Sequence, residues 1–354
     1  MKNKRTLLFL FVGLLVIGII SVAISNFRKS NQEIYTSQKN QPHEYLQIVG
    51  ARFLNGKNRL DGAESILSLY SIDEHKIIAN YTLGKFALYP VACIDFARNK
   101  IYYSGSDNNL YDNLYVYDIS TKQSKQLIND KMLFNDLFMV GDKIIGNVAP
   151  EGKTCLRPAI FYPEQNKVEF YNYNDDDTWF HSLSYNAATG KLLTLTCSDK
   201  EMRSDRVATQ TFICPKKVNL MNPDFSDVST IYSTEAFEIR ETRQLDTDHI
   251  IMITDKHMGS GGPRQLQVLD LKNNRLQKLN IDGLIEPQSV FPDKSGEHLH
   301  ILGRSKESMK RPLYISLFDY DMKKHTLTDL LADYQFPTGY SLIVNFTYVY
   351  YPNH

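Results

Sequence analysis

The stretch NLYVYDISTKQSKQL, from Asn113 to Leu127, alternates apolar and polar residues on both sides of a short polar segment. Period-2 alternation interrupted in this way predicts a β-hairpin. The same outline returns as QVLDLKNNRLQKL from Gln267 and as SLFDYDMKKHTLTDL from Ser316. We therefore interpret the chain as a series of repeated hairpins.

Six hairpins of this outline follow one another at intervals of 45 to 55 residues. A second apolar run precedes each hairpin, and a third precedes most of them, so each unit holds four short strands. Such a unit cannot bury both of its faces alone and must stack on its neighbours, which is typical of the blades of a β-propeller. The residues before the predicted turns are Tyr70, Tyr117, Tyr162, Cys214, Leu269 and Phe318.

The first hairpin has no innermost strand of its own, while the chain ends on an unassigned strand, Ser341–Tyr351. We predict that this strand completes the first blade beside Tyr45–Phe53, because ring closure removes exposed sheet edges. The predicted fold is thus all-β, a six-bladed propeller over residues 44–354. A pair of two-sheet sandwiches is the alternative, although it would need no fixed spacing.

The pattern resembles the six-bladed propellers of the TolB-like superfamily. These often carry a Pro-Asp-Gly turn between the first two strands of a blade, and FPDKSGEHLHI, Phe291–Ile301, comes close to it with two extra residues before the glycine. The Gly-His and Trp-Asp marks of WD40 repeats are absent, as are sialidase-type Asp boxes. The resemblance concerns architecture and names no subfamily.

The N-terminus carries the pattern of a membrane segment. Three cations in the first five residues precede 20 largely apolar residues, Thr6–Ser25, which as a helix would span roughly 30 Å. We predict an anchor over residues 1–25 with its start in the cytoplasm, a tether over 26–43 and an extracytoplasmic propeller. A cleaved signal peptide, and hence a secreted protein, is the alternative.

Composition limits the classes of partner. Lys plus Arg and Asp plus Glu number 40 each, so bulk attraction to nucleic acid is not expected. The four cysteines are too few for a disulfide scaffold. A bridge between Cys197 and Cys214 and four buried thiols both remain open. We expect a monomer without a cofactor.

Numbering the strands of a blade a to d outwards from the axis, the a–b and c–d turns are mostly tight, while the b–c connections are long. Long loops on a rigid frame are where binding usually occurs, so we predict a binding face there, with solvated insertions as the alternative. Trp179 and His181 begin an innermost strand, and we interpret them either as part of a polar pocket or as a wedge between blades. The other predicted binding residues are Arg240, Arg264, Arg304 and Arg311.

No linear catalytic motif is present, neither Gly-x-Ser-x-Gly, His-Glu-x-x-His nor Cys-x-x-Cys. The run Asp175–Asp177 lacks the alternating spacing of a calcium loop, so no metal site is predicted. We expect a binding or scaffold module for a protein or a polar ligand. The alternative is a lyase, lactonase or hydrolase that acts on an envelope polymer or a small metabolite at the channel mouth.

Overall fold

The computed structural model describes residues 43–53, 63–107, 111–206, 213–257, 263–311, 314–334 and 340–351. Contacts divide the chain into two compact units. One is Tyr45–Val349, which contains the propeller, and the other combines Met1–Glu44 with Tyr350–His354. The site described below lies entirely within Tyr45–Val349.

The described residues form six antiparallel sheets of four strands each, blades I to VI. From the inside outwards, blade I is β24, β1, β2 and β3, and blades II to VI follow in chain order from β4 to β23. The strands are β1 His43–Phe53, β2 Ala63–Ser71, β3 Lys76–Lys85, β4 Ala92–Asp95, β5 Lys100–Gly105, β6 Asn113–Asp118, β7 Gln123–Gln126, β8 Met132–Val140, β9 Lys143–Pro150, β10 Arg157–Tyr162, β11 Lys167–Phe170, β12 Thr178–Asn186, β13 Lys191–Ser198, β14 Lys216–Met221, β15 Ser229–Thr234, β16 Glu238–Gln244, β17 His249–Asp255, β18 Gln265–Asp270, β19 Arg275–Leu279, β20 Leu284–Pro292, β21 His298–Ser305, β22 Ser316–Asp321, β23 Thr326–Asp329 and β24 Tyr340–Tyr351.

The C-terminal strand β24 lies beside β1 as the innermost strand of blade I. The six-bladed architecture, the four-stranded blades and the closure by the last strand are therefore confirmed. Tyr89, in the segment before β4, donates a hydrogen bond from its hydroxyl to the carbonyl oxygen of Val344, 3.1 Å away. This bond joins the closing strand to the neighbouring blade II.

An aspartate at the start of the turn explains why the same hairpin turn recurs along the chain. Asp118 Oδ1 accepts the backbone N–H of Thr121 at 2.9 Å, and Lys122, four residues after Asp118, takes a left-handed φ of 57°. Asp270 and Asp321 accept backbone N–H groups in the same way, and the residues four positions later again have positive φ. The aspartate side chain thus stabilises one turn geometry three times.

The hydrophobic core consists of clusters between adjacent blades. In the cluster between blades II and III, for example, Leu114 and Val116 pack with Phe134 and Phe161. The middle strands have neighbouring sheets on both faces, so Tyr45–Ala51 in β1 is buried without alternation, whereas the outermost strand β7 is mostly exposed. Burial on both faces explains why the b strands are the most continuous apolar runs in the sequence.

The predicted turn position in the fourth hairpin is wrong. Cys214 lies before β14, and the turn of that hairpin follows Met221 instead. The connection between β13 and β14, which was expected to be a loop, begins with the helix α1, Asp199–Arg206. In blade VI the turn begins at Asp321, three residues after the predicted Phe318.

The predicted single-pass membrane location must be corrected. Within the described residues no helix has the length and apolar character needed to cross a membrane, and α1 there has only eight residues. The segment predicted as anchor, 1–25, and the segment predicted as tether, 26–43, lie outside the described residues except for His43, which begins β1.

Candidate functional site

A polar cavity lies at the centre of the ring and encloses about 290 Å³. Its volume is at the lower end of the range of small-molecule sites. Every blade contributes to it through its innermost strand or the segment next to that strand. The polar lining residues are Tyr89, Asn135, Asp136, His181, Ser182, Arg240, Glu241, Arg243, Arg264, Gln288, Ser289 and Asn345.

One-residue β-bulges in the innermost strands shape this cavity. The ladders skip Asn135 in β8, His181 in β12, Arg240 in β16 and Gln288 in β20. In a regular strand two consecutive side chains point to opposite faces, yet each of these residues and its successor both line the cavity. A bulge redirects side chains in this way and is common beside functional sites.

Three of the four bulges lie within the first four residues of their innermost strands, and the fourth, at Gln288, lies at the middle of β20. Thr178 pairs with Ser198 at the start of β12, and Glu238 pairs with Asp255 at the start of β16. The second strands end at these pairs, so the long b–c connections leave from the same end of the sheets. The cavity is thus associated with the loop end of the blades rather than with the tight turns.

Glu241 connects blades V and VI. Its Oε1 accepts hydrogen bonds from Ser289 Oγ at 2.9 Å and from the backbone N–H of Val290 at 3.0 Å. Arg243 Nη2 lies 3.1 Å from the same oxygen, and the Arg243 guanidinium stacks 4.1 Å from the ring centre of Phe291. Because its partners are protein groups, Glu241 holds the wall of the cavity in place.

Asp136 is the second carboxylate in the wall, and its surroundings disfavour its charge. Burial raises the pKa of Asp136 to about 6, against the opposing effects of Arg243 and of a hydrogen bond from Asn135. Asn135 Nδ2 donates to Asp136 Oδ2 at 3.0 Å. A carboxyl group that titrates near neutral pH inside a cavity marks a candidate functional residue.

Two arginines that were predicted as binding residues line the cavity. Arg240 donates from Nη2 to Asp255 at 3.3 Å, and its buried Nε has no hydrogen-bond partner among the described residues. Arg264 Nε lies 4.0 Å from Glu286 Oε1, a loose ion pair. Ser182 Oγ is also buried without a partner in the described part of the chain. The wall therefore offers donors that its own acceptors do not use.

The structure brings together Trp179 and His181, the aromatic pair predicted at the channel mouth. Their rings stack with centroids 5.4 Å apart, but only His181 lines the central cavity, whereas Trp179 lines a separate, mainly apolar cavity of about 250 Å³. Burial and the nearby charges of Lys216 and Arg240 lower the pKa of His181 to about 3. Its imidazole is neutral at pH 7.

The other two predicted arginines do not line the cavity. Arg304 lies on β21 and pairs with Glu286 at 3.2 Å. Arg311 forms an ion pair with Asp329 and donates from Nη1 to the carbonyl oxygen of Leu331 at 3.1 Å. Its partners belong to the outer part of blade VI, so Arg311 has a structural role there.

The acidic run Asp175–Asp177 is occupied by protein partners. Asp175 Oδ1 accepts the N–H groups of Asp177 and Thr178, each at 2.9 Å. Asp177 accepts from Ser198 Oγ at 3.0 Å, and Asp176 pairs with Lys153 at 2.8 Å. These bonds close a turn at the start of β12.

Sequence reasoning missed Asp136, Glu241, Arg243 and Ser289 in the wall and the proximity of Cys214 to His181. The available signal was the unusual charge at the start of two innermost strands, FNDLF around Asp136 and IRETR around Glu241. Innermost strands otherwise carry apolar or small residues where they pack against neighbouring blades. Charge there indicates side chains that face the axis.

Comparison with known proteins finds similar solved structures but no matching sequence. No family model matches the sequence, and no curated protein sequence matches it. Similar solved structures include TolB from Acinetobacter baumannii, with 15% identity and a TM-score of 0.48 over 84% of this chain and 66% of that chain, just under two thirds of it. A chain of a nidogen/laminin complex has 9% identity and a TM-score of 0.50 over 81% of this chain and 92% of that chain.

A third similar structure is an oligogalacturonate lyase in complex with manganese, with 12% identity and a TM-score of 0.47 over 82% of this chain and 81% of that chain. Of these three structures, only the nidogen/laminin chain reaches a TM-score of 0.50, and at 9% identity it shows a shared fold alone. Function has to be argued from the site, because propellers support many chemistries.

Proposed function

We propose that the central cavity binds a small polar molecule that carries a carboxylate. The observation that carries this proposal is the set of four bulges, which together direct eight side chains into one cavity. A carboxylate suits the unused guanidinium donors, because arginine recognises planar anions with paired hydrogen bonds. Asp136 and the neighbouring amides suit a hydroxyl or ammonium group at the other end of the ligand.

The cavity size favours a metabolite over a polymer. About 290 Å³ accommodates a small molecule, and the lining is polar at almost every position. Arg240 and Arg264 belong to the loop end, so the ligand enters from the side of the long b–c connections. The proposed role is that of a binding module, and the loops around the mouth are also available to a protein partner.

Calorimetric titration with a panel of small carboxylates and amino acids tests this role. We expect at least one carboxylate to bind and its matched amide to bind weakly or not at all. In Arg264→Gln the affinity should fall by about 10- to 100-fold, since a hydrogen bond to a charged group contributes about 1.5–3 kcal/mol. The melting temperature should change by less than about 2 °C, because Arg264 makes only a loose pair.

Two matched controls use the same substitution. Arg275→Gln alters an exposed arginine on the outermost strand of the same blade V, and Arg311→Gln alters a predicted residue that lies away from the cavity. Both should bind the carboxylate as tightly as the unmodified protein. If Arg311→Gln abolishes binding while Arg264→Gln does not, the site lies on the blade VI loop and the cavity proposal fails.

Catalysis at the same cavity is the second candidate. Asp136, with a pKa raised to about 6 by burial, is suited to proton transfer near neutral pH, and no linear motif would reveal such a residue. Incubating the binding carboxylate with the protein and following it by NMR distinguishes the two roles. Conversion that is lost in Asp136→Asn supports an enzyme, and an unchanged spectrum supports binding alone.

A further inference from the structure

Three side chains with metal-binding atoms converge in blade IV. His181 occupies the bulge of β12, Cys197 lies on β13 and Cys214 precedes β14. Their ligand atoms all lie within 4.8 Å of one another, the one such group of His, Cys, Asp or Glu in the described ranges. His181 Nε2 is 3.2 Å from Cys197 Sγ.

This spacing matches a tetrahedral zinc site. Zinc–sulfur bonds of about 2.3 Å and zinc–nitrogen bonds of about 2.0 Å place neighbouring ligand atoms roughly 3.3–3.8 Å apart in a tetrahedron. A donor set of two sulfurs and one imidazole nitrogen selects thiophilic cations over Mg²⁺ or Ca²⁺, which prefer oxygen.

The surroundings hold the three donors in position. Glu238 Oε2 accepts the backbone N–H of Cys214 at 3.1 Å, and its other oxygen is paired with the buried Lys216. Trp179 stacks on the His181 ring, and Met202 of α1 packs against both cysteines. Such outer contacts fix the orientation of metal ligands and exclude solvent from them.

We propose that His181 Nε2, Cys197 Sγ and Cys214 Sγ bind one Zn²⁺ ion at the wall of the central channel. Three protein donors leave one position of a tetrahedral ion for a non-protein ligand. His181 also lines the central cavity, so this position lies close to the site of the proposed carboxylate. The metal proposal stands on blade IV alone and does not depend on that ligand.

The sequence left a Cys197–Cys214 disulfide open, and in the structure both cysteines are free thiols. A disulfide would consume two of the three donors, so the two states exclude each other. Thiol titration of the purified full-length chain before and after reduction separates them. Four reactive thiols after denaturation without reductant agree with the zinc site. Two reactive thiols indicate a disulfide and overturn the zinc proposal.

The direct test is titration of the reduced, chelator-treated chain with Co²⁺ and then with Zn²⁺. We expect one Co²⁺ per chain, with thiolate-to-cobalt charge transfer in the near ultraviolet and the visible bands of a tetrahedral ion, all displaced by Zn²⁺. Cys197→Ser and Cys214→Ser should each weaken Zn²⁺ binding by more than about 100-fold, because even outer contacts contribute 10- to 100-fold. Cys93→Ser, at a buried thiol in blade II, should change nothing.

His181→Asn covers the case in which a cysteine variant fails to fold. It keeps both thiols and should retain charge transfer while losing the tetrahedral bands and at least tenfold in affinity. Absence of charge transfer in the unmodified chain, or an identical spectrum in a Cys197→Ser, Cys214→Ser double variant, overturns the proposal. Repeating the carboxylate titration on the chelated chain keeps failure of the zinc site distinguishable from failure of the ligand site.

Discussion

Phe346→Ala is expected to lower the free energy of unfolding by about 3–5 kcal/mol, the usual cost of removing a buried phenylalanine. Phe346 lies on the closing strand β24 and is fully buried. It packs edge-to-face on Phe291 of blade VI with ring centroids 5.1 Å apart, and its cluster includes Leu46 of β1 and Leu317 of β22. The substitution therefore opens a cavity between the first and the last blade.

Urea unfolding measures this effect, and Leu342→Ala on the same strand is the control. Leu342 is 40% exposed, so its truncation should change stability by less than about 0.5 kcal/mol. Deleting residues 341–354 removes all but the first residue of the innermost strand of blade I and should abolish cooperative unfolding. A Phe346→Ala variant as stable as the unmodified chain would show that the terminal strand does not close the ring.

The number of blades could be predicted because the turn chemistry recurs. Asp118, Asp270 and Asp321 each accept backbone N–H groups of their turn, which imposes the same polar sequence between two apolar runs. Blade IV could not be aligned in this way. Its hairpin turns through Asn222 and Phe225 with a different pattern of bonds, so Cys214 was mistaken for the residue before the turn.

The site was harder to predict than the fold, for a geometric reason. A bulge adds one residue to one strand and becomes visible only when the partner strand's register is known. Without the bulge, alternation would place Asn135 and Asp136 on opposite faces of β8, whereas in the structure both line the cavity. Arg311 lies away from the cavity, and its loop position in the sequence gives no sign of its ion pair with Asp329.

Asp136→Asn is expected to raise the free energy of unfolding at pH 8 by about 1–3 kcal/mol. Burial raises the pKa of Asp136 from 3.8 to about 6, so the folded protein holds this proton more tightly than the unfolded chain does. The protonated carboxyl therefore favours folding fully below about pH 4, and this contribution is lost as the pH rises through 6. The difference between the folded and unfolded pKa of Asp136 corresponds to about 3 kcal/mol of stability, and access of cavity water to the carboxyl reduces this amount.

Asparagine is neutral at every pH, so the variant keeps the folding stability that the unmodified protein loses when the Asp136 carboxyl ionises. Urea unfolding at pH 4 and pH 8 should show the two proteins equally stable at pH 4 and the variant more stable at pH 8. Asp142→Asn, at an exposed aspartate in the β8–β9 turn of the same blade, should leave stability unchanged at both pH values.

The stabilised Asp136→Asn variant should bind the carboxylate ligand more weakly at pH 8, because it has lost the charge that faces the ligand. If Asp136→Asn instead destabilises the protein at pH 8, Arg243 compensates the buried charge, and Asp136 belongs to the frame of the cavity with Glu241.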